Sequence, residues 1–116
     1  VSDLFSVSSE RVDDSLGVVA LSGEVDIFTS PQFKECMVEL LDAGVDRLVV
    51  DLSGVTFIDS TALGVLIGGV RRAHTAGGAI ALVVANRAVE RVLSITGLDR
   101  VFTIHATREA ALESLA

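Results

Sequence analysis

The sequence is poor in the residues from which many active sites are built. Cys36 is its only cysteine, so no intramolecular disulfide and no thiolate zinc cage can form, and a reducing compartment such as the cytoplasm is the expected setting. Lys34 is the only lysine among nine basic residues. There is no Walker-type phosphate loop and no second lysine for Schiff-base chemistry. The two histidines, His74 and His105, lie far apart and form no His-x-x-x-His pair, which argues against a metal centre. Trp and Tyr are absent. The longest apolar run, "ALGVLIGGV", has nine residues, whereas a membrane span needs about 20. No basic segment followed by an apolar stretch opens the chain, so a soluble cytoplasmic protein is expected. Positive charge is scarce too. A formal net charge of −7 argues against DNA, RNA or anionic lipid as partners, because those require clustered Lys and Arg.

What remains is a chain of 116 residues, half of them apolar, with five Phe. That is enough for one domain, residues 1–116, with a single aliphatic core. Phe5 and Val7 alternate with Ser6 and Ser8, and after the turn-prone "DDSLG" the run "VVALSG" returns, which predicts an N-terminal hairpin. At "TSPQF" Ser30 is placed to cap a helix and Pro31 suits its first position. Phe33, Cys36, Met37, Leu40 and Leu41 then recur at helical spacing and put Cys36 on the apolar stripe, with an end near Gly44. "RLVVDL" and "AIALVVA" read as buried strands. Leu63, Leu66, Ile67 and Val70 predict a helix from Ser60 that stops at "GG", residues 77–78. Asn86 is placed to cap a helix carrying Val89, Val92 and Leu93, which ends at Gly97 with Leu98 packing back. "VFTI" is a last strand, and Thr107 caps a C-terminal helix. Alternating strands and helices predict an α/β fold with parallel pairs, made mixed by the hairpin, with about four helices.

Two stretches carry more polarity than such a fold needs. In "FIDSTALG" Asp59, Ser60 and Thr61 sit together where a strand and loop lead into a helix. One cap would suffice, and the positive end of a helix with its free N–H groups favours an anion. In "SGEVDIFTSPQF" Glu24 and Asp26 alternate with Val25 and Ile27; they are either solvated acids of an exposed edge or partners of the Ser60 helix start, if the fold joins the two strand exits. Gly64, Gly68 and Gly69 lie inside the Ser60 helix, for close packing or for a docking partner. Hydrolase chemistry is excluded, because His74 lies about four turns, roughly 20 Å, along the same helix from Ser60 and no Gly-x-Ser-x-Gly elbow surrounds the serine. Asp51 at a strand end suggests a phosphoaspartate receiver, but no early acidic cluster and no lysine after the last strand accompany it.

Three stretches, "LSGEVDIFTSPQF", "VVDLSGVTFIDSTALGVLIGG" and "ITGLDRVFTIHATREAALESL", resemble the STAS domains of bacterial anti-sigma factor antagonists, in the same order and over most of the chain. The second is the most specific. That family carries its phosphoacceptor serine in an aliphatic-x-Asp-Ser-Ser/Thr-Gly/Ala pattern, and the resemblance places Ser60 as acceptor after Asp59, followed by Thr61 and Ala62. Thr61 stands where many members have Ser, which leaves it as a competing acceptor. Gly23, Glu24 and Asp26 match the family's partner-surface run. The N-terminal hairpin matches weakly. The resemblance implies a regulatory switch in transcription rather than an enzyme. In such switches the unphosphorylated form binds an anti-sigma factor serine kinase and frees a sigma factor. Phosphorylation releases the kinase, and a PP2C-type serine phosphatase restores the binding form. No cofactor is implied for this chain, since ATP is used by the kinase. The alternatives are a STAS scaffold or transport-complex subunit without a phosphorylation cycle, and a small enzyme acting on nucleotides.

Overall fold

The computed structural model describes residues 5–116, so residues 1–4 of the expected domain lie outside the described residues. Two strands come first, β1 (Ser6–Arg11) and β2 (Leu16–Val25), followed by helix α1 (Ser30–Asp42). Then come β3 (Arg47–Ile58), α2 (Ser60–Thr75), β4 (Ala79–Val83), α3 (Arg87–Ile95), β5 (Thr103–His105) and α4 (Arg108–Leu115), with a short 3-10 turn at Leu98–Arg100. The strands form one sheet in the order β1-β2-β3-β4-β5. β1 and β2 are the expected antiparallel hairpin, and the remaining pairs are parallel. The fold is therefore the expected mixed α/β sheet.

Alternation along β3 divides the interior between the two faces of the sheet. Leu48, Val50 and Leu52 join the larger core beneath α1, α2 and α3. Val49 points the other way, to a smaller core with Val18, Val83, Ala111 and Leu115 under α4. That second helix–sheet contact is fastened at both ends. Arg108 places Nε and Nη2 each 2.9 Å from Asp51 Oδ2, and Arg47 donates to the Leu115 carbonyl. Asp51 thus lies inside β3 and is committed to α4, in keeping with the rejection of a receiver site.

Four local expectations are corrected. β3 runs through "SGVTFI" to Ile58, so strand and helix are separated by Asp59 alone and not by a loop. Glu24 lies within β2 and pairs in register with Phe57, so it is a strand residue rather than one that follows the strand. Ser30 does not cap α1; it is the first helical residue, and the N-cap is Thr29. The Thr29 hydroxyl is occupied elsewhere, since it accepts from the Asp26 amide at 2.9 Å and lies 3.0 Å from the Glu24 carbonyl. Cys36 is only partly buried, packed against the edge of the core. Burial, followed by the nearby Glu39 and Glu35, pushes its thiol pKa up, away from the reactive thiolate form.

The other caps form as expected. Asn86 Oδ1 accepts from the amides of Ala88 and Val89, and Thr107 Oγ1 accepts from Ala110. Gly77 at φ +83° ends α2 in a left-handed conformation that glycine adopts without strain. A Cβ on Gly78 would stand 1.7 Å from the Asp46 carbonyl oxygen, so the second glycine is required by close approach to the start of β3.

Candidate functional site

Two adjacent parallel strands build the site. β2 and β3 stay paired up to Val25–Ile58, through register shifts between Ala20 and Ser22 and between Gly23 and Glu24, and the next residues leave the sheet together. The Asp59 amide donates to the Val25 carbonyl at 3.2 Å, which joins the two exits beyond the last strand pair. α1 and α2 therefore begin side by side on the same rim, and their positive ends lie together.

Asp59 is the N-cap of α2. Its backbone is extended at φ −111°, ψ −177°, and its Oδ1 accepts from the Ala62 amide at 3.1 Å, which satisfies one of the free N–H groups of the first turn. Ser60 follows as the first helical residue, and both Ser60 and Thr61 are exposed. The hydroxyl of Ser60 thus stands at the open end of a 16-residue helix with no acidic side chain in its first turn. A dianion added there meets the favourable helix dipole and, against it, the neighbouring Asp59 carboxylate that caps the first turn.

Across the rim, Asp26 folds the β2–α1 connection around its own carboxylate. Oδ1 accepts from the amides of Phe28 and Thr29 at 2.9 and 3.1 Å and from the Thr29 hydroxyl at 3.2 Å, while its carbonyl accepts from Ser30 at 2.8 Å. Desolvation raises the Asp26 pKa, but the donors from Thr29 and Phe28 outweigh it and hold the carboxyl below its usual range. This turn pushes two apolar side chains into solvent, Ile27 at 61% and Phe28 at 84% exposure. Phe57, the register partner of Glu24, is half exposed as well. Gly23 takes φ +84° at the irregularity in β2 that precedes Glu24.

All six residues singled out in the sequence, Gly23, Glu24, Asp26, Asp59, Ser60 and Thr61, fall on the two adjacent strand exits or the helix start. What sequence reasoning missed is the exposed apolar trio Ile27, Phe28 and Phe57. Local pattern gives little signal for it, since Phe57 directly precedes the buried Ile58 and Phe28 directly precedes the buried Thr29.

The comparisons with known proteins point the same way. Residues 8–111 match the STAS domain family model. The chain belongs to the STAS domain family. The anti-sigma-B factor antagonist of Bacillus subtilis is 33% identical over 95 residues, 82% of this chain and 86% of that protein. Among solved structures, an anti-sigma factor antagonist from Mycobacterium paratuberculosis superposes with a TM-score of 0.88 at 28% identity, covering 99% of this chain and 97% of that one. SpoIIAA, a cell fate determinant of Bacillus solved in its phosphorylated form, shares the fold with a TM-score of 0.76 at 21% identity, over 96% of this chain and all of that one. In this STAS domain the glycines of α2 divide into two kinds. A Cβ on Gly69 would meet the Met37 Sδ at 2.6 Å, so the Met37 side chain would have to shift, whereas one on Gly64 or Gly68 would meet nothing within 4 Å.

Proposed function

We propose that this chain is an anti-sigma factor antagonist whose binding to its partner is switched off by phosphorylation of Ser60. The observation that carries this reading is an exposed serine at the first position of α2, directly after its Asp59 cap, on a rim that also presents Ile27, Phe28 and Phe57. Exposed apolar groups beside polar ones are what a docking surface needs. The names of the relatives support an anti-sigma factor as the partner. The partner proposed is an anti-sigma factor that is itself an ATP-dependent serine kinase, opposed by a metal-dependent phosphatase of the PP2C type. On this reading the chain regulates by binding and does no chemistry of its own.

The switch follows from the site's physics. A phosphate on Ser60 brings a charge of about −1.5 to −2, at a helix start that stabilises anions, so the fold keeps its form. A partner seated on Ile27, Phe28 and Phe57 meets that charge at close range and must desolvate it. Repulsion and steric exclusion then act at the interface rather than through unfolding. Incubating the purified chain with its cognate kinase and ATP, followed by mass mapping, tests the assignment. Phosphate on Ser60 with loss of complex supports it, and a complex that persists with no phosphate transfer contradicts it and returns the chain to a constitutive scaffold.

A further inference from the structure

The chain crosses from β2 to α1 in four residues, Asp26 to Thr29, and both ends of the crossing are closed. Val25, Thr29 and Ser30 are buried, while Ile27 and Phe28 between them stand in solvent. Asp26 Oδ1 accepts from the amides of Phe28 and Thr29, and the Asp26 carbonyl accepts from the Ser30 amide. The result is a two-residue knuckle whose backbone is tied down on either side. Among the described residues Phe28 is the most exposed large apolar side chain. Moving a phenyl ring from water into an apolar pocket changes an equilibrium constant by roughly 10- to 150-fold. Its own fold supplies little of that burial.

One docked protein spans both the knuckle and Ser60. Phe28 lies three residues past Val25 and Ser60 two past Ile58, so chain reach alone keeps them within about 11 and about 7 Å of their strand ends. Val25 and Ile58 are paired, and paired strands stand about 4.8 Å apart. The backbones of Phe28 and Ser60 are therefore no more than about 23 Å apart. A standard protein interface covers about 800 Å² on each partner, a patch roughly 30 Å across. A kinase seated over the acceptor serine has room for the ring in the same footprint.

We propose that Phe28 is the anchor by which this chain holds its anti-sigma partner, its ring entering an apolar pocket on that protein. The inference rests on the partner reading given above and adds to it which exposed apolar side chain carries the affinity. Aromatic residues presented on a fixed backbone are the usual centres of binding energy, because little freedom is lost when they dock. Phe57 is half covered by its own chain and gains less from a partner. The ring acts by apolar burial and a phosphate on Ser60 by charge, so the two contributions are separable.

The test takes the purified anti-sigma factor that transfers phosphate from ATP to Ser60 and titrates it, without ATP, with the unmodified chain and three variants. Phe28→Ala should lose about 30-fold in affinity and Phe57→Ala no more than about threefold. Ile95→Ala removes another exposed apolar side chain, at the last position of α3, and should bind like the unmodified chain. Phe28→Ala should melt like the unmodified protein, because an exposed ring contributes little to the core. Added in excess with ATP, it should still be phosphorylated on Ser60, with a raised KM and an unchanged kcat. Equal affinities of the unmodified and Phe28→Ala chains overturn the anchor and leave the Ser60 switch standing. So does an equal loss in Ile95→Ala, which would mark general apolar adhesion. A chain that no anti-sigma factor phosphorylates overturns the partner reading and the anchor with it.

Discussion

The backbone amide of Asp59 donates to the Val25 carbonyl at 3.2 Å, and this bond fixes where the start of α2 sits relative to the turn held by Asp26. The exposed Ile27–Phe28 turn and the exposed Ser60 are thereby joined on one rim. A change on either side of that bond should be felt by binding before it is felt by the fold.

Ser60 is expected to take the phosphate, with Thr61 at most a minor site. Both are exposed, but only Ser60 directly follows the Asp59 cap. Ser60→Ala should lose nearly all labelling by the kinase, and Thr61→Ala should keep it. Peptide mapping that finds phosphate mainly on Thr61 would reverse the assignment.

The two aspartates should separate by substitution. Asp59→Ala removes the cap of α2 and is expected to cost about 1 kcal/mol in urea denaturation, whereas Asp59→Asn retains most of that stability. Asp26→Asn keeps an acceptor for Phe28 and Thr29 and should hold the turn. Asp26→Ala frees those amides, and limited proteolysis should then find new cleavage between β2 and α1. Intact resistance of Asp26→Ala would mean that the turn is held without the carboxylate.

The glycines of α2 should separate by substitution with alanine. Gly64→Ala and Gly68→Ala meet no neighbour, so each should stabilise the helix by about 1 kcal/mol and raise the melting temperature. Gly69→Ala brings its methyl against the flexible ends of Met37 and Ile80, which must shift, so it should gain less than the other two. A gain at Gly69 equal to those at Gly64 and Gly68 would show that the Met37 contact costs nothing.

Acid should loosen α4 through Asp51. Burial raises the Asp51 pKa, but hydrogen bonds from Ser53 and the ion pair with Arg108 outweigh it and leave the folded value below the unfolded one. The stability this contributes is present in full above the unfolded value of about 3.9 and is lost as pH falls through the lower folded value. Asp51→Asn should therefore be less stable at neutral pH and flatter in its acid limb, measured by thermal denaturation from pH 7 down to about pH 2. Parallel acid limbs would place the titration elsewhere.

The strands and helices were legible because their signals are local and mutually consistent: the apolar run at Leu48, the helical spacing from Leu63, the caps Asn86 and Thr107. The errors came where a side chain or strand had a competing partner that local spacing does not show. Ser30 looks like the cap in sequence, yet the N-cap position falls on Thr29, whose hydroxyl is drawn back to Glu24 and Asp26 by the turn. β3 continues through Ser53 and Gly54 because β2 runs beside it, and a Cβ on Gly54 would stand 2.9 Å from Ser22 Cβ; only the paired strand shows why that glycine belongs in the sheet. The joining of Asp26 to Asp59 was conditional in the sequence, since register depends on partners far apart in the chain. The open face of Gly64 and Gly68 was invisible without the neighbouring helix.

The central claim is a switch at the interface with the fold unchanged. The most direct measurement is a titration of the purified anti-sigma partner with three forms of this protein: unmodified, phosphorylated on Ser60, and Ser60→Ala. The account predicts near-equal binding by the unmodified and Ser60→Ala forms. The phosphorylated form should lose about 100-fold in affinity, roughly 2.7 kcal/mol, with circular dichroism and melting temperature nearly unchanged because a helix N-terminus stabilises an anion by about 0.3 to 1 kcal/mol. Equal affinities for the unmodified and phosphorylated forms, or a loss of binding that tracks a loss of folded structure, would contradict it.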